Sequence, residues 1–218
     1  MSFSLTVKNE LCRLENNNTC CMTSELAAAV RINGAAVVTA SGEVNIKITT
    51  ENAAFARRVY TQIKRCCGIL PEVVIRKSKR LKKHASYILI ITSRIGSGKL
   101  LRHLGADIDR TAAETSLELV FTGSNILKKV CCRKAFLRGA FLAGGSVSDP
   151  EKTYHLEITS HSLRLAQELG RILSTFKLNA RIIKRWLITK TWYAGTLSAY
   201  HYARTSFGSG RYRPSDGI

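Results

Sequence analysis

Three sets of residues in this sequence could do chemistry by type and spacing. The first is its thiols. Cys12 and the adjacent pairs Cys20-Cys21, Cys66-Cys67 and Cys131-Cys132 make seven cysteines. An odd count without C-x-x-C spacing fits neither a zinc site nor a disulfide framework, so they read as reduced packing residues and no metal is expected. The second is Gly96-Ser97-Gly98-Lys99, which imitates the end of a phosphate-binding loop. Ser93 stands where the first glycine belongs, and Leu100 replaces the hydroxyl that would reach magnesium, so the segment reads as a turn with a lysine. The third is Arg76-Lys77-Ser78-Lys79-Arg80-Leu81-Lys82-Lys83-His84, with six Lys and Arg in nine residues. Apolar runs flank it, Val73-Val74-Ile75 before and Tyr87-Ile88-Leu89-Ile90-Ile91 after, as at the tip of a hairpin. Such a tip can follow a phosphate backbone, and a two-stranded ribbon fits the major groove of duplex DNA.

The elements that position these groups occur twice. Val44-Asn45-Ile46-Lys47-Ile48-Thr49 alternates like a half-buried strand. Thr50 then offers a cap to a helix whose apolar face is Ala53, Ala56, Val59, Tyr60 and Ile63. Further on, His155-Leu156-Glu157-Ile158-Thr159 repeats the strand, Ser160 the cap, and Leu163, Ala166, Leu169 and Leu173 the stripe. The copies align without a gap from Val44 and Tyr154 to Lys64 and Ser174, and each continues into another strand candidate, Val73–Arg76 and Ala180–Lys184. Each is preceded by a helix of small residues, Leu26–Gly34 and Leu137–Gly145. Small side chains at three- and four-residue intervals let two helix backbones approach, and a terminal glycine suits a left-handed cap.

The segment Phe136–Lys152, with Tyr154-His155-Leu156-Glu157-Ile158, resembles the LAGLIDADG-like part of the WhiA family. So do Ser2-Phe3-Ser4, Val7-Lys8-Asn9-Glu10-Leu11 and Arg31-Ile32-Asn33-Gly34, and the resemblance covers roughly residues 1–184. It implies an α+β fold, a duplicated homing-endonuclease-like arrangement of antiparallel saddle sheets backed by helices. Residues 1–103 form the first copy, 104–130 a linker and 131–185 an incomplete second copy. The resemblance also implies a DNA-binding regulator acting in transcription, cell division, chromosome segregation and sporulation.

A LAGLIDADG nuclease places a carboxylate immediately before the closing glycine of each motif helix, and the paired acids hold the divalent metal that cleavage requires. Here those positions are Asn33 and Gly144. Neither supplies a charge. Asp149 and Glu151 follow the second motif without a partner in the first copy, so no nuclease, no catalytic residue and no cofactor is expected.

Charge agrees with a nucleic-acid partner. The 218 residues carry 34 Lys and Arg against 15 Asp and Glu, a formal +19. A surplus of that size repels itself and calls for a polyanion. The residues expected on double-stranded DNA are Arg76, Lys77, Lys79, Arg80, Lys82 and Lys83, with Arg181, Lys184 and Arg185 at the symmetric place in the second copy. Lys128, Lys129, Arg133, Lys134 and Arg138 form a lower-ranked cluster around the second motif helix. The alternative occupant of the saddle is a protein, an RNA polymerase sigma factor or another transcription regulator. No membrane span is present in the sequence pattern, and the expected place is the cytoplasm, on the nucleoid. From Trp186 to Ile218 neither helical nor alternating periodicity is legible, and the family's helix-turn-helix is not matched. That stretch is expected to be an aberrant, frameshifted tail.

Overall fold

The computed structural model describes residues 2–15, 17–77, 85–109, 118–121, 124–149, 155–185 and 188–194. The first copy opens with α1 (Phe3–Arg13), α2 (Thr19–Asn33), β1 (Gly34–Val38) and β2 (Val44–Thr50). It continues through α3 (Ala53–Cys67), β3 (Glu72–Lys77), β4 (Ala85–Ile91) and α4 (Ser97–His103). A hairpin of β5 (Ala106–Asp109) and β6 (Glu118–Phe121) and a 3-10 turn at Ser124–Leu127 lie within the stretch 104–130 that connects the copies. The second copy is α5 (Val130–Gly144), β7 (Gly145–Val147), β8 (His155–Ser160), α6 (Leu163–Ser174), β9 (Ala180–Arg185) and β10 (Ile188–Ala194).

Both copies build the same antiparallel sheet, ordered β1-β2-β4-β3 and β7-β8-β10-β9. The second copy therefore does not stop at Arg185: β10 fills the place that β4 holds in the first, pairing with β8 and β9 along its length. Its residues show no alternation legible from sequence because strand pairing on both sides, rather than side-chain period, holds it in place. Residues 195–218, the rest of the expected aberrant tail, lie outside the described residues.

The caps fall two residues later than expected, in both copies alike. Asn52 Oδ1 accepts from the amides of Ala54 and Phe55 at 2.8 and 3.1 Å, and Ser162 Oγ accepts from Leu165 at 3.4 Å. Thr50 and Ser160 instead hold the turn before the cap, their hydroxyls accepting from the amides of Asn52 and Ser162 at 3.2 and 3.1 Å. A hydroxyl that closes such a turn keeps its own residue extended, so the strand runs on to it. The buried face of α6 is Leu165, Ala166, Leu169, Ile172 and Leu173, which leaves Leu163 exposed at its margin.

The core lies between the sheets and two central helices. α2 and α5 pack side by side and parallel, and Leu26, Phe136, Leu137 and Leu142 from them belong to one continuous buried core with Ile46, Ile48, Leu89 and Ile91 of the first sheet. Their separation is set by small residues. A Cβ at Gly139 would stand 2.2 Å from the carbonyl oxygen of Glu25, so only glycine permits the approach. The closing glycines, by contrast, are not left-handed: Gly34 and Gly145 are extended, both at φ −85°. They are needed for space, because each helix passes straight into a strand and a Cβ would lie 2.2 Å from Val30 O or 2.6 Å from Phe141 O.

Inside this packing sits a buried charge. Glu25 of α2 accepts from Arg58 of α3, from Gln62 at 2.7 Å and from Arg138 of α5 at 2.7 Å. Its side chain is 1% exposed. Burial pushes the carboxyl up, but the hydrogen bond from Arg58 and the charges of Arg138 and Arg58 overcome it and hold the group below its ordinary range. A second tie crosses between the copies: Arg31 of α2 pairs with Glu168 of α6 at 2.6 Å and lies over the Phe136 ring.

Candidate nucleic-acid interface

The ends of α2 and α5 that run into β1 and β7 are adjacent. Asn33 Nδ2 donates to the carbonyl of Ala143 at 3.3 Å, which ties the two helix ends together. The positions that would carry a nuclease's acids are thus brought to one point, as an amide and a glycine. Position 144 is also closed sterically. A Cβ there would meet Thr159 O at 2.6 Å and Ile32 Cγ2 at 2.8 Å, so no carboxylate enters without a backbone shift. Asp149 is half-buried beyond β7, and Glu151 lies outside the described residues.

Strand register sorts the basic residues by face, because directly paired residues share one side of a sheet. Ile46 and Ile48 face the helices, and so do their partners Ile91 and Leu89. Lys47 and Thr49 therefore lie on the opposite, saddle face with Ile90, Ile88, Val74 and Arg76. Lys77, opposite Ala85, takes the helix side. The basic run that looks continuous in sequence is divided where it enters the strand, because successive side chains alternate. Lys79, Arg80, Lys82 and Lys83 lie outside the described residues.

In the second sheet Arg181 is exposed and pairs with Trp192, which in turn pairs with Glu157. Lys184 pairs with Thr189 and Arg185 with Ile188. Arg185 thereby holds the register position that Arg76, opposite Ser86, holds in the first sheet. β3 is exposed at every residue, and Val74 and Ile75 carry apolar surface beside the basic residues. Ile182 and Ile183 do the same on β9.

Of the other sequence motifs, Gly96-Ser97-Gly98-Lys99 opens α4 rather than a simple turn. Ser97 is buried and donates to the carbonyl of Val44, a structural role with no phosphate in it. Lys128 and Lys129 are exposed ahead of α5, whereas Arg138 is taken up by Glu25. Sequence reasoning missed Lys47, which reads only as the polar phase of a strand. It also missed the grouping of Cys20, Cys21, Cys131 and Cys132, which the repeat alignment signals once the motif helices are extended back to Thr19 and Val130.

Two family models match the chain: the WhiA N-terminal LAGLIDADG-like domain over residues 19–106 and the WhiA LAGLIDADG-like domain over 133–191. The chain is 48% identical over 187 residues to the probable cell division protein WhiA of Ruminiclostridium cellulolyticum, and 44% over 186 residues to that of Alkaliphilus metalliredigens. Each alignment covers 85% of this chain and 57% or 58% of the relative, so the chain spans little more than half the length of the relatives it matches. Among solved structures, the N-terminal LAGLIDADG domain of DUF199/WhiA superposes with a TM-score of 0.70 at 22% identity, covering 97% of this chain and 92% of that one. The homing endonuclease I-DmoI, solved with DNA and Mn, superposes with a TM-score of 0.56 at 14% identity, covering 89% and 100%. The duplicated antiparallel sheets and paired motif helices are thus the LAGLIDADG fold, and the chain belongs to the WhiA family.

Proposed function

We propose that this chain is a non-catalytic DNA-binding regulator that lays its two sheets on duplex DNA. The observation that carries the reading is the pair of helix ends that meet at Asn33 and Gly144. The fold's usual metal-binding point is retained in position but has neither anionic ligand nor space for one at Gly144. The formal charge of +19 and the matching register positions of Arg76 and Arg185 support a phosphate backbone as the partner. A role in transcription, cell division, chromosome segregation and sporulation, on the nucleoid, belongs to the same proposal. Among the described residues no helix is long and apolar enough to cross a membrane.

Phosphate contacts dominate where base-reading elements are few, so affinity for duplex DNA is expected in the nonspecific range, ~10⁻⁴–10⁻⁶ M. Replacing Arg76, Lys77, Lys79, Arg80, Lys82 and Lys83 by Ala together should weaken binding and flatten its dependence on salt. An unchanged salt titration would show that these residues do not touch DNA. Supercoiled plasmid incubated with the chain and Mg²⁺ or Mn²⁺ should remain intact. Nicking that survives purification and vanishes in the variant Asp149→Ala/Glu151→Ala would overturn the non-catalytic reading. The apolar residues Val74 and Ile183, on the same sheet faces as Arg76 and Arg185, favour a second reading, a protein docked on the saddle, such as a transcription partner. That reading predicts binding that persists at high salt.

A further inference from the structure

The opposite end of the helix pair carries a different chemistry. Cys20 and Cys21 occupy the second and third positions of α2, and Cys131 and Cys132 the same positions of α5. Parallel packing of the two helices brings the four together, with every Sγ within 4.8 Å of the others. Cys20 and Cys21 Sγ lie 4.0 Å apart. Among the described residues this is the one group of three or more metal-ligating side chains.

We infer that Cys20, Cys21, Cys131 and Cys132 form a tetrathiolate site for a zinc ion, clasping the N-terminal ends of the two motif helices. Four sulfurs around Zn²⁺ at about 2.3 Å stand about 3.8 Å from one another in a tetrahedron. The observed spacing lies within about an ångström of that, a difference that side-chain rotation closes. Packing explains only half of the cluster. Cys21 and Cys132 are buried with Ala135, but Cys20 and Cys131 are exposed and fill no core. Two buried ligands beneath and two exposed ligands above give an ion a seat and a path from solvent.

Charge also fits. On loading, four S–H protons leave to solvent and four S–Zn bonds form, so the centre carries a net charge of −2. Each helix N-terminus presents roughly half a positive charge and unpaired amides. Neither first turn contains an acidic residue, and Lys129 is the N-cap of α5. The first turn of α2 is held in turn by Ser24, whose hydroxyl donates to Cys20 O at 2.9 Å and to Ile126 O at 2.8 Å. The adjacent-pair spacing hides this site from a search for C-x-x-C, because each half-site is supplied by a different copy.

The test uses the full chain, purified under reducing conditions without chelator and supplied with Zn²⁺. Elemental analysis after gel filtration should find one zinc per chain. The Co²⁺-loaded chain should show thiolate-to-cobalt charge transfer and the intense visible bands of tetrahedral coordination. Cys20→Ser/Cys131→Ser changes only exposed ligands and should lower zinc to background while circular dichroism stays native. Absence of retained zinc together with a weak, octahedral cobalt spectrum in the parent chain would overturn the proposal. So would full zinc content in the folded double variant. DNA binding is not the readout, so this result stands apart from the outcome of the salt titration.

Discussion

The two ends of the α2–α5 pair make the most instructive contrast in the molecule. At the sheet end, equivalent positions hold Asn33 and Gly144, and the geometry that serves a nuclease is left without ligands. At the other end, equivalent positions hold two cysteines each, and the same geometry gathers four sulfurs. Duplication around a shared helix pair doubles whatever residue stands near the axis. One helix supplies half a site and its copy supplies the rest. Chemistry at either end therefore depends on both copies keeping the ligand, and the fold survives when they do not, because the packing between the ends is separate.

That middle packing is where the contrast breaks most severely. Glu25→Ala would leave Arg58 and Arg138 buried without a counter-charge, their side chains only 8% and 11% exposed. A loss of about 3–5 kcal/mol is expected in urea unfolding, because an uncompensated buried charge is the costly case. Both ends should then fail together, with the zinc content and DNA binding falling alongside. Gly139→Ala attacks the same place by volume. Its methyl meets the Glu25 carbonyl, the helices must separate, and a loss of about 1–3 kcal/mol is expected from the same measurement.

Acidification should show the triad at work without a substitution. Glu25 binds its proton less readily in the fold than in the unfolded chain, so its contribution is fully present above the unfolded value, about 4.3. It is lost as pH falls through the lower folded value. Stability measured against pH should drop on that acid limb, and Glu25→Gln should flatten it while lowering stability at neutral pH. A parallel limb in the variant would assign the drop to other carboxylates.

The sheet end gives the sharper, smaller test. Asn33→Asp keeps a similar volume beside Ala143 and should fold. Gly144→Asp must displace Thr159 or Ile32 and should destabilise the chain by about 1–3 kcal/mol. If the double variant folds as well as the parent, position 144 is not closed as described. Smallest of all, Arg76→Ala should reduce the salt slope of DNA binding by about 1, the contribution of one phosphate contact, while Lys77→Ala on the opposite face should change it less. Equal effects would mean that strand alternation does not sort these two residues.

Much of this was determined by local pattern. Alternation in Val44–Thr49 and the helical stripe of α3 fix which face of each element is apolar, and their repetition fixes the duplication. The identities of Asn33 and Gly144 decide the missing acids wherever the helices end. Nearest-neighbour chemistry places a cap only approximately, and so Asn52 and Ser162, not Thr50 and Ser160, hold the helix starts. β10 escaped because its strand is defined by partners on β8 and β9 rather than by its own period. What only the tertiary structure decided are meetings across the chain. Glu25 and Arg138 are 113 residues apart in sequence, and the four cysteines likewise come from two helices. Periodicity says that each faces inward or outward, but not what stands opposite. That depends on how closely two backbones approach, and here the approach is set by the missing side chain of Gly139.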